Sequence, residues 1–194
     1  ITCNRPDGNN GNCIDSVQSY SKNVKIYSNT LNHTFVPGVT HWDFAIEFWD
    51  ILGGVEIYGN TMTGGIDLVG SAKGSSTYSC WIHDNIIYKP SFISSQSPRA
   101  ILLEGPNDSV IIERNYINRF PIGIYNQMHS WKGSYAPFTT SNIIVRYNVF
   151  DNMGAGSTAP DPTGWDFLTS QETEANDEPD FFTNFSFYNN TVVG

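Results

Sequence analysis

Six asparagines, Asn29, Asn60, Asn85, Asn115, Asn148 and Asn190, sit at the same place in one short apolar pattern, at spacings of 31, 25, 30, 33 and 42 residues. Five residues before each stand Val24, Val55, Cys80, Val110, Ile143 and Phe185; three before stand Ile26, Ile57, Ile82, Ile112, Val145 and Phe187. Two after stand Leu31, Met62, Ile87, Ile117, Phe150 and Val192. All eighteen are apolar, where a 39% hydrophobic chain would place about seven by chance. Periods of this size are the mark of a solenoid.

One coil of such a repeat cannot bury its own apolar face, so coils stack and equivalent strands pair in parallel. Inward residues then form continuous apolar columns. An asparagine at a bend tolerates a left-handed backbone, and its amide can bond to the asparagine of the next coil, making a ladder. The pattern resembles the right-handed parallel β-helix superfamily, whose best-known members are pectate-lyase-like and other polysaccharide-active proteins. The resemblance covers roughly residues 20–194 and rests on the core columns and the asparagines. It implies an all-β, single-stranded right-handed parallel β-helix of about six coils, with residues 1–21 as a cap or the start of the first coil and 22–194 as the repeats. It also implies a carbohydrate-active protein, without choosing among hydrolase, lyase and epimerase.

Each coil is expected to carry a second strand as well: Ala45–Trp49, Gly65–Val69, Ala100–Glu104, Gly123–Gln127 and Gly164–Leu168. The connections between strands are uneven. Long ones at residues 30–44, 86–99, 128–141, 149–163 and 170–184 are placed to wall a groove on one face. The last repeat, Phe185–Val193, ends one residue before the chain does, so the coil there is expected to continue, or to be covered by another chain through self-association.

Charge narrows the partners. A formal net charge of −9 argues against nucleic acid and anionic membranes. It weighs, less strongly, against a polyanionic glycan. No apolar run is long enough to span a membrane. Only 15% of residues are charged, while Asn, Ser, Thr, Gly and aromatics are plentiful, a composition that suits a secreted β protein. Cys3 and Cys13 could close a small loop in an oxidising compartment, and Cys80 falls in a core column as a buried free thiol.

Candidate chemistry lies on the outward positions of the second strands. One column there reads Glu47, Asp67, Leu102, Tyr125, Asp166; the next reads Trp49, Val69, Glu104, Gln127, Leu168. Glu47 and Asp67 would lie about one strand spacing apart and Asp67 and Glu104 roughly 8 Å apart, separations that bracket the carboxylate pairs of retaining and inverting glycosidases. Asp67, Glu47 and Glu104 are therefore the candidate catalytic residues, although outward carboxylates are more often simply solvated. Trp49, Tyr125, His129, Trp131, Lys132 and Asp166 are the candidate glycan-binding residues, the loop His129–Tyr135 supplying a wall of the groove.

The outward column of the first strands reads Tyr27, Tyr58, His83, Glu113, Arg146, Tyr188, and cross-strand stacking accounts for it as well as sugar binding does. Arg146 beside Glu113 is expected to be a surface ion pair of small worth. No cofactor is required. Calcium could be held by the acidic run Glu172–Asp180, whose spacing matches no known loop, and the four histidines show no metal spacing. Gly154–Ala159 fits a dinucleotide fingerprint, but Pro160 and Pro162 forbid the helix that would have to follow. Two readings result: an extracellular protein binding and cleaving a polysaccharide along its solenoid face, or a structural or adhesive solenoid without catalysis.

Overall fold

The computed structural model describes residues 1–3, 12–16, 20–33, 44–89, 99–128, 139–153, 168–172 and 181–194. Among them there is no helix, and every strand pairing is parallel. The strands fall into three sheets, visited in rotation, which makes the parallel β-helix. Sheet 1 holds the strands before the asparagines: Lys25–Tyr27, Val55–Tyr58, Cys80–His83, Val110–Glu113, Thr139–Arg146 and Phe181–Tyr188. Sheet 2 holds the short strands directly after them, Thr30–His33, Thr61–Thr63, Ile86–Tyr88, Tyr116–Asn118, Val149–Asp151 and Thr191–Val193, with Thr2–Cys3 added at one edge. Sheet 3 holds Ile14–Ser16, Phe44–Ile51, Gly65–Ser71, Arg99–Asn107, Ile122–Met128 and Leu168–Glu172.

The register matches the sequence columns residue for residue. Val55 pairs with Cys80 and Cys80 with Val110, while Ile57, Ile82 and Ile112 stand in line beside them. Leu31, Met62, Ile87, Ile117 and Phe150 form the corresponding row in sheet 2, all without solvent contact. Each buried side chain of this kind is worth about 1.5–3 kcal/mol. Cys80 is a free thiol buried in its row, its pKa driven up by burial. Cys13 is in a disulfide and Cys80 is not, which leaves Cys3 as the partner of Cys13. At the N-terminal end, Thr2–Cys3 pairs with Asn32–His33, and Ile14–Ser16 with Ile46–Phe48.

The asparagines make the expected ladder. The backbone N–H and the side-chain Nδ2 of Asn60 both donate to Oδ1 of Asn85, each at 3.0 Å. Asn85 does the same to Asn115, Asn115 to Asn148, and Asn148 to Asn190. Each Nδ2 donates also to a carbonyl one coil back, Asn85 to Ile57 and Asn115 to Ile82. One detail differs from expectation. The left-handed residue is not the asparagine but the one before it: Ser28, Gly59, Asp84, Arg114, Tyr147 and Asn189 all have φ between 53° and 60°. The chain turns the corner one position early, and this aims the following side chain along the solenoid axis. For the non-glycine members the turn costs roughly 1 kcal/mol each, which the side-chain bonds offset.

One sequence assignment fails. The strand expected at Gly164–Leu168 lies at Leu168–Glu172, where Tyr125 pairs with Thr169 and Gln127 with Gln171. Asp166 therefore does not continue the column of Tyr125, and it lies outside the described residues, as does most of the acidic run to Asp180. The cause is visible in the register, where the row of Leu103 passes to Asn126, which is paired with Ser170. Apolar alternation marks the strand no longer.

Asn115→Ala should be costly out of proportion to its size. It leaves both donors of Asn85 and the carbonyl of Ile82 without their partner in a buried corner. A loss of about 3 kcal/mol is expected, read as a lower urea midpoint at unchanged slope.

Candidate active site

The strands of sheet 3 place two outward columns side by side. The first runs Asp15, Glu47, Asp67, Leu102, Tyr125; the second runs Trp49, Val69, Glu104. Parallel in-register stacking thus sets three acidic residues of the first column in successive coils. Gly65 helps close the coils here. A Cβ on it would stand 2.2 Å from the carbonyl oxygen of Arg99, so no side chain fits between these strands.

The centre of this outer face is not solvated. Asp67 is 3% exposed, Leu102 0% and Tyr125 3%, and Phe44, Leu102, Ile122 and Tyr125 form a second apolar cluster apart from the main core. Burial disfavours a charged carboxylate, and a negative neighbour adds to the effect. Asp67 is accordingly held well above the usual carboxylate range, by burial first and then by the charges of Glu104 and Glu47. Glu104 is pushed up to about 7, again by burial first and then by Glu47. A side-chain hydrogen bond joins the two carboxyls, so they stand closer than the roughly 8 Å expected from strand geometry. Oδ1 of Asp67 is buried and has no hydrogen-bond partner among the described residues.

Glu47 is held differently. Trp49 donates from Nε1 to its Oε1 at 2.6 Å, and Asn12 donates to its Oε2. Its pKa is raised by burial, with the Trp49 bond pulling the other way. Trp49 is partly open beside it, whereas the ring of Tyr125 is occupied: the Arg99 guanidinium lies 4.4 Å from its centroid. Arg99 is the cation of the site, and it opposes the rise of both Asp67 and Glu104.

The structure therefore brings Glu47, Asp67, Glu104, Trp49 and Tyr125 together. His129, Trp131, Lys132 and Asp166 lie outside the described residues. Sequence reading passed over Arg99 for a definite reason. Strict alternation back from Leu102 aims it into the core. Here Ala100 and Ile101 both join the core, and Arg99 emerges on the side of Tyr125. Asp15 and Asn12 were missed because their segment shows no periodicity.

Sheet 1 carries a second ordered face. Tyr27 stacks on Tyr58 at 5.1 Å and Tyr58 on His83 at 5.0 Å, so the aromatic column is spent on its own cross-strand contacts. Glu56 accepts from Lys25 at 2.7 Å and meets the His83 ring at 3.2 Å. Glu113 is 2% exposed and is bound by Arg114, Arg146 and Trp81. The expectation of a surface pair of small worth is corrected: the Glu113 carboxylate is buried, with three donors on it, and its pKa is lowered by those Arg bonds against the pull of burial. Among the described residues no group of three His, Cys, Asp or Glu side chains is placed to hold a metal ion.

A family model described as disaggregatase related matches residues 51–193, roughly three quarters of the chain; Asp67, Arg99, Glu104 and Tyr125 lie within the match, Glu47 and Trp49 before it. No curated protein and no solved structure matches.

The pair makes a signed prediction for stability. A carboxyl whose folded pKa is raised favours the native state at pH below its unfolded value and loses that contribution as pH rises through the folded value. Between about pH 4.3, the ordinary value for Glu, and about 7, Glu104 should therefore erode stability. Glu104→Gln, which cannot ionise, should melt progressively higher than wild type as pH is raised from 5 to 8. Thermal melts at several pH values test this, and parallel curves for the two proteins would refute it.

Proposed function

The chain belongs to the disaggregatase-related family, and from this and the site we propose that it is a polysaccharide-active β-helix, cutting a glycan laid along the outer face of sheet 3. The observation that carries the reading is the Asp67–Glu104 pair, two hydrogen-bonded carboxyls set beside Glu47 on the outer face, Asp67 buried and Glu104 with a proton affinity pushed up to about 7. Such a pair gives up and takes back a proton at the pH at which proteins work, which is what general acid–base catalysis requires. The family's name speaks of disaggregation, and a polysaccharide matrix is the cohesive material that a β-helix of this kind would act on.

Roles follow from contact. Two carboxyls in hydrogen-bond contact are closer than the 5–9.5 Å or so that separates the groups flanking a glycosidic bond. Asp67 and Glu104 therefore act as one proton-carrying unit, with Asp67 as the acid. Glu47, oriented by Trp49 and Asn12, is the separate carboxylate on the other side of the scissile bond. Trp49 offers the apolar ring on which a sugar can rest. These steps use side chains alone. The disulfide at Cys13 fits an extracellular setting for such a substrate.

The test is release of oligosaccharides from a panel of neutral and acidic extracellular glycans. New reducing ends identify hydrolysis, and ultraviolet-absorbing unsaturated ends identify elimination. Asp67→Asn and Glu104→Gln should each lower the rate about 10²–10⁴-fold. Full activity in both variants would end the assignment.

A further inference from the structure

Each oxygen of the Glu47 carboxylate accepts a hydrogen bond from a different part of the chain. Trp49, on the same strand, donates from Nε1 to Oε1 at 2.6 Å, and Asn12 donates from Nδ2 to Oε2. A bond to one oxygen leaves a carboxylate able to turn about its last single bond, whereas bonds to both fix its plane. Asn12 gives up something to make this contact. Its Oδ1 is buried and has no hydrogen-bond partner among the described residues. An amide that leaves its own carbonyl unpaired costs stability, which suits a residue kept for what its donor does.

The backbone holds Asn12 only lightly. It stands directly before Cys13, whose N–H donates to the Ala45 carbonyl at 2.9 Å, and ahead of the strand Ile14–Ser16, which sets Ile14 beside Ile46 and Asp15 beside Glu47. That strand is three residues long and stands last in the order of sheet 3. A strand so short, paired on one side, opens easily from its ends. A covalent tie supplies the rest. Cys13 is in a disulfide with Cys3, and Thr2–Cys3 is itself paired to Asn32–His33 in sheet 2. The bond therefore fastens the residue next to Asn12 to a second sheet.

We propose that Asn12 is a positioning residue for the Glu47 carboxylate and that the disulfide at Cys13 keeps it there, so that this end of the acidic face is complete only in the oxidised protein. The inference rests on the reading of Glu47 as a reacting carboxylate. A dithiol reductant breaks the S–S bond, leaves each sulfur as a thiol and is itself oxidised to a disulfide. With the tie gone, Asn12 can leave Oε2, and Glu47 keeps only the donor from its own strand.

Carbon-detected NMR titration of the Glu carboxyls tests this without a glycan. A donor to a carboxylate favours its charged form, so losing one raises the midpoint. The other titratable groups around Glu47 are Asp15, Asp67 and Glu104, and all three stay in place in every form compared. In Asn12→Leu, which keeps the bulk of the amide without its donor, the Glu47 midpoint should rise by about one pH unit. Reduction of the wild-type protein with dithiothreitol should raise it by about half a unit or more, because Asn12 is then away for part of the time. A Glu47 midpoint unmoved in Asn12→Leu overturns the proposal, and so does one that moves there but stays put on reduction. Should circular dichroism show one of these forms unfolded, the other decides alone. Oligosaccharide release by Glu47→Gln reports separately on whether Glu47 reacts: full release there ends its role in cleavage, while the midpoints still judge Asn12 and the disulfide.

Discussion

Everything in this molecule hangs from the asparagine ladder. Each inner rung, from Asn60 to Asn148, binds forward through two donors to the next asparagine and back through Nδ2 to a carbonyl one coil behind. One side chain so ties three coils at the corner between sheets 1 and 2. That corner is sharp and largely buried, and without the amides its backbone groups would be left unsatisfied at a cost of about 1–3 kcal/mol apiece. Because each asparagine can reach only the asparagine directly above it, the ladder also fixes register. A strand that slipped by one residue would lose its rung and turn its apolar side chains outward.

Fixed register has a chemical consequence: whatever residue type recurs at a position meets itself every coil. On sheet 1 the recurrence is mixed, and opposite charges and rings meet. Lys25 meets Glu56, Glu113 meets Arg146, and Tyr58 meets Tyr27 and His83. The result is a network satisfied within itself. On sheet 3 the recurrence is acidic, so Asp15, Glu47 and Asp67 are forced into one column, with Glu104 alongside. Like charges that cannot move apart settle by sharing a proton. The same stacking rule therefore yields a face of paired charges on one sheet and a face of crowded acids on another, and only the charge pattern differs.

That a site should cost stability is the expected trade in a functional protein. Buried acid beside buried acid is poor packing, and in sheet 3 it is embedded between a well-ordered core and an outer apolar cluster. The solenoid can carry that cost because each coil is supported by its neighbours above and below, so local strain is not spread through the whole chain.

The amino-acid sequence by itself determined the parallel coils, the inward columns and the ladder, because these depend on periodicity, and periodicity is written in the chain. Val55, Cys80 and Val110 declare one row by their distance from an asparagine alone. It also named Glu47, Asp67 and Glu104, since outward positions follow from inward ones. It misplaced the last strand of sheet 3, where the row of Leu103 passes to Asn126 and its partner Ser170, and it missed Arg99, where two successive residues turn inward. Whether the outer face of sheet 3 was wet or dry was decided only in three dimensions. The Asp67–Glu104 contact, the apolar cluster around Tyr125 and the seat of Arg99 all arise between residues from different coils. Proton affinity depends on what surrounds a carboxyl in space, and no spacing along the chain encodes that.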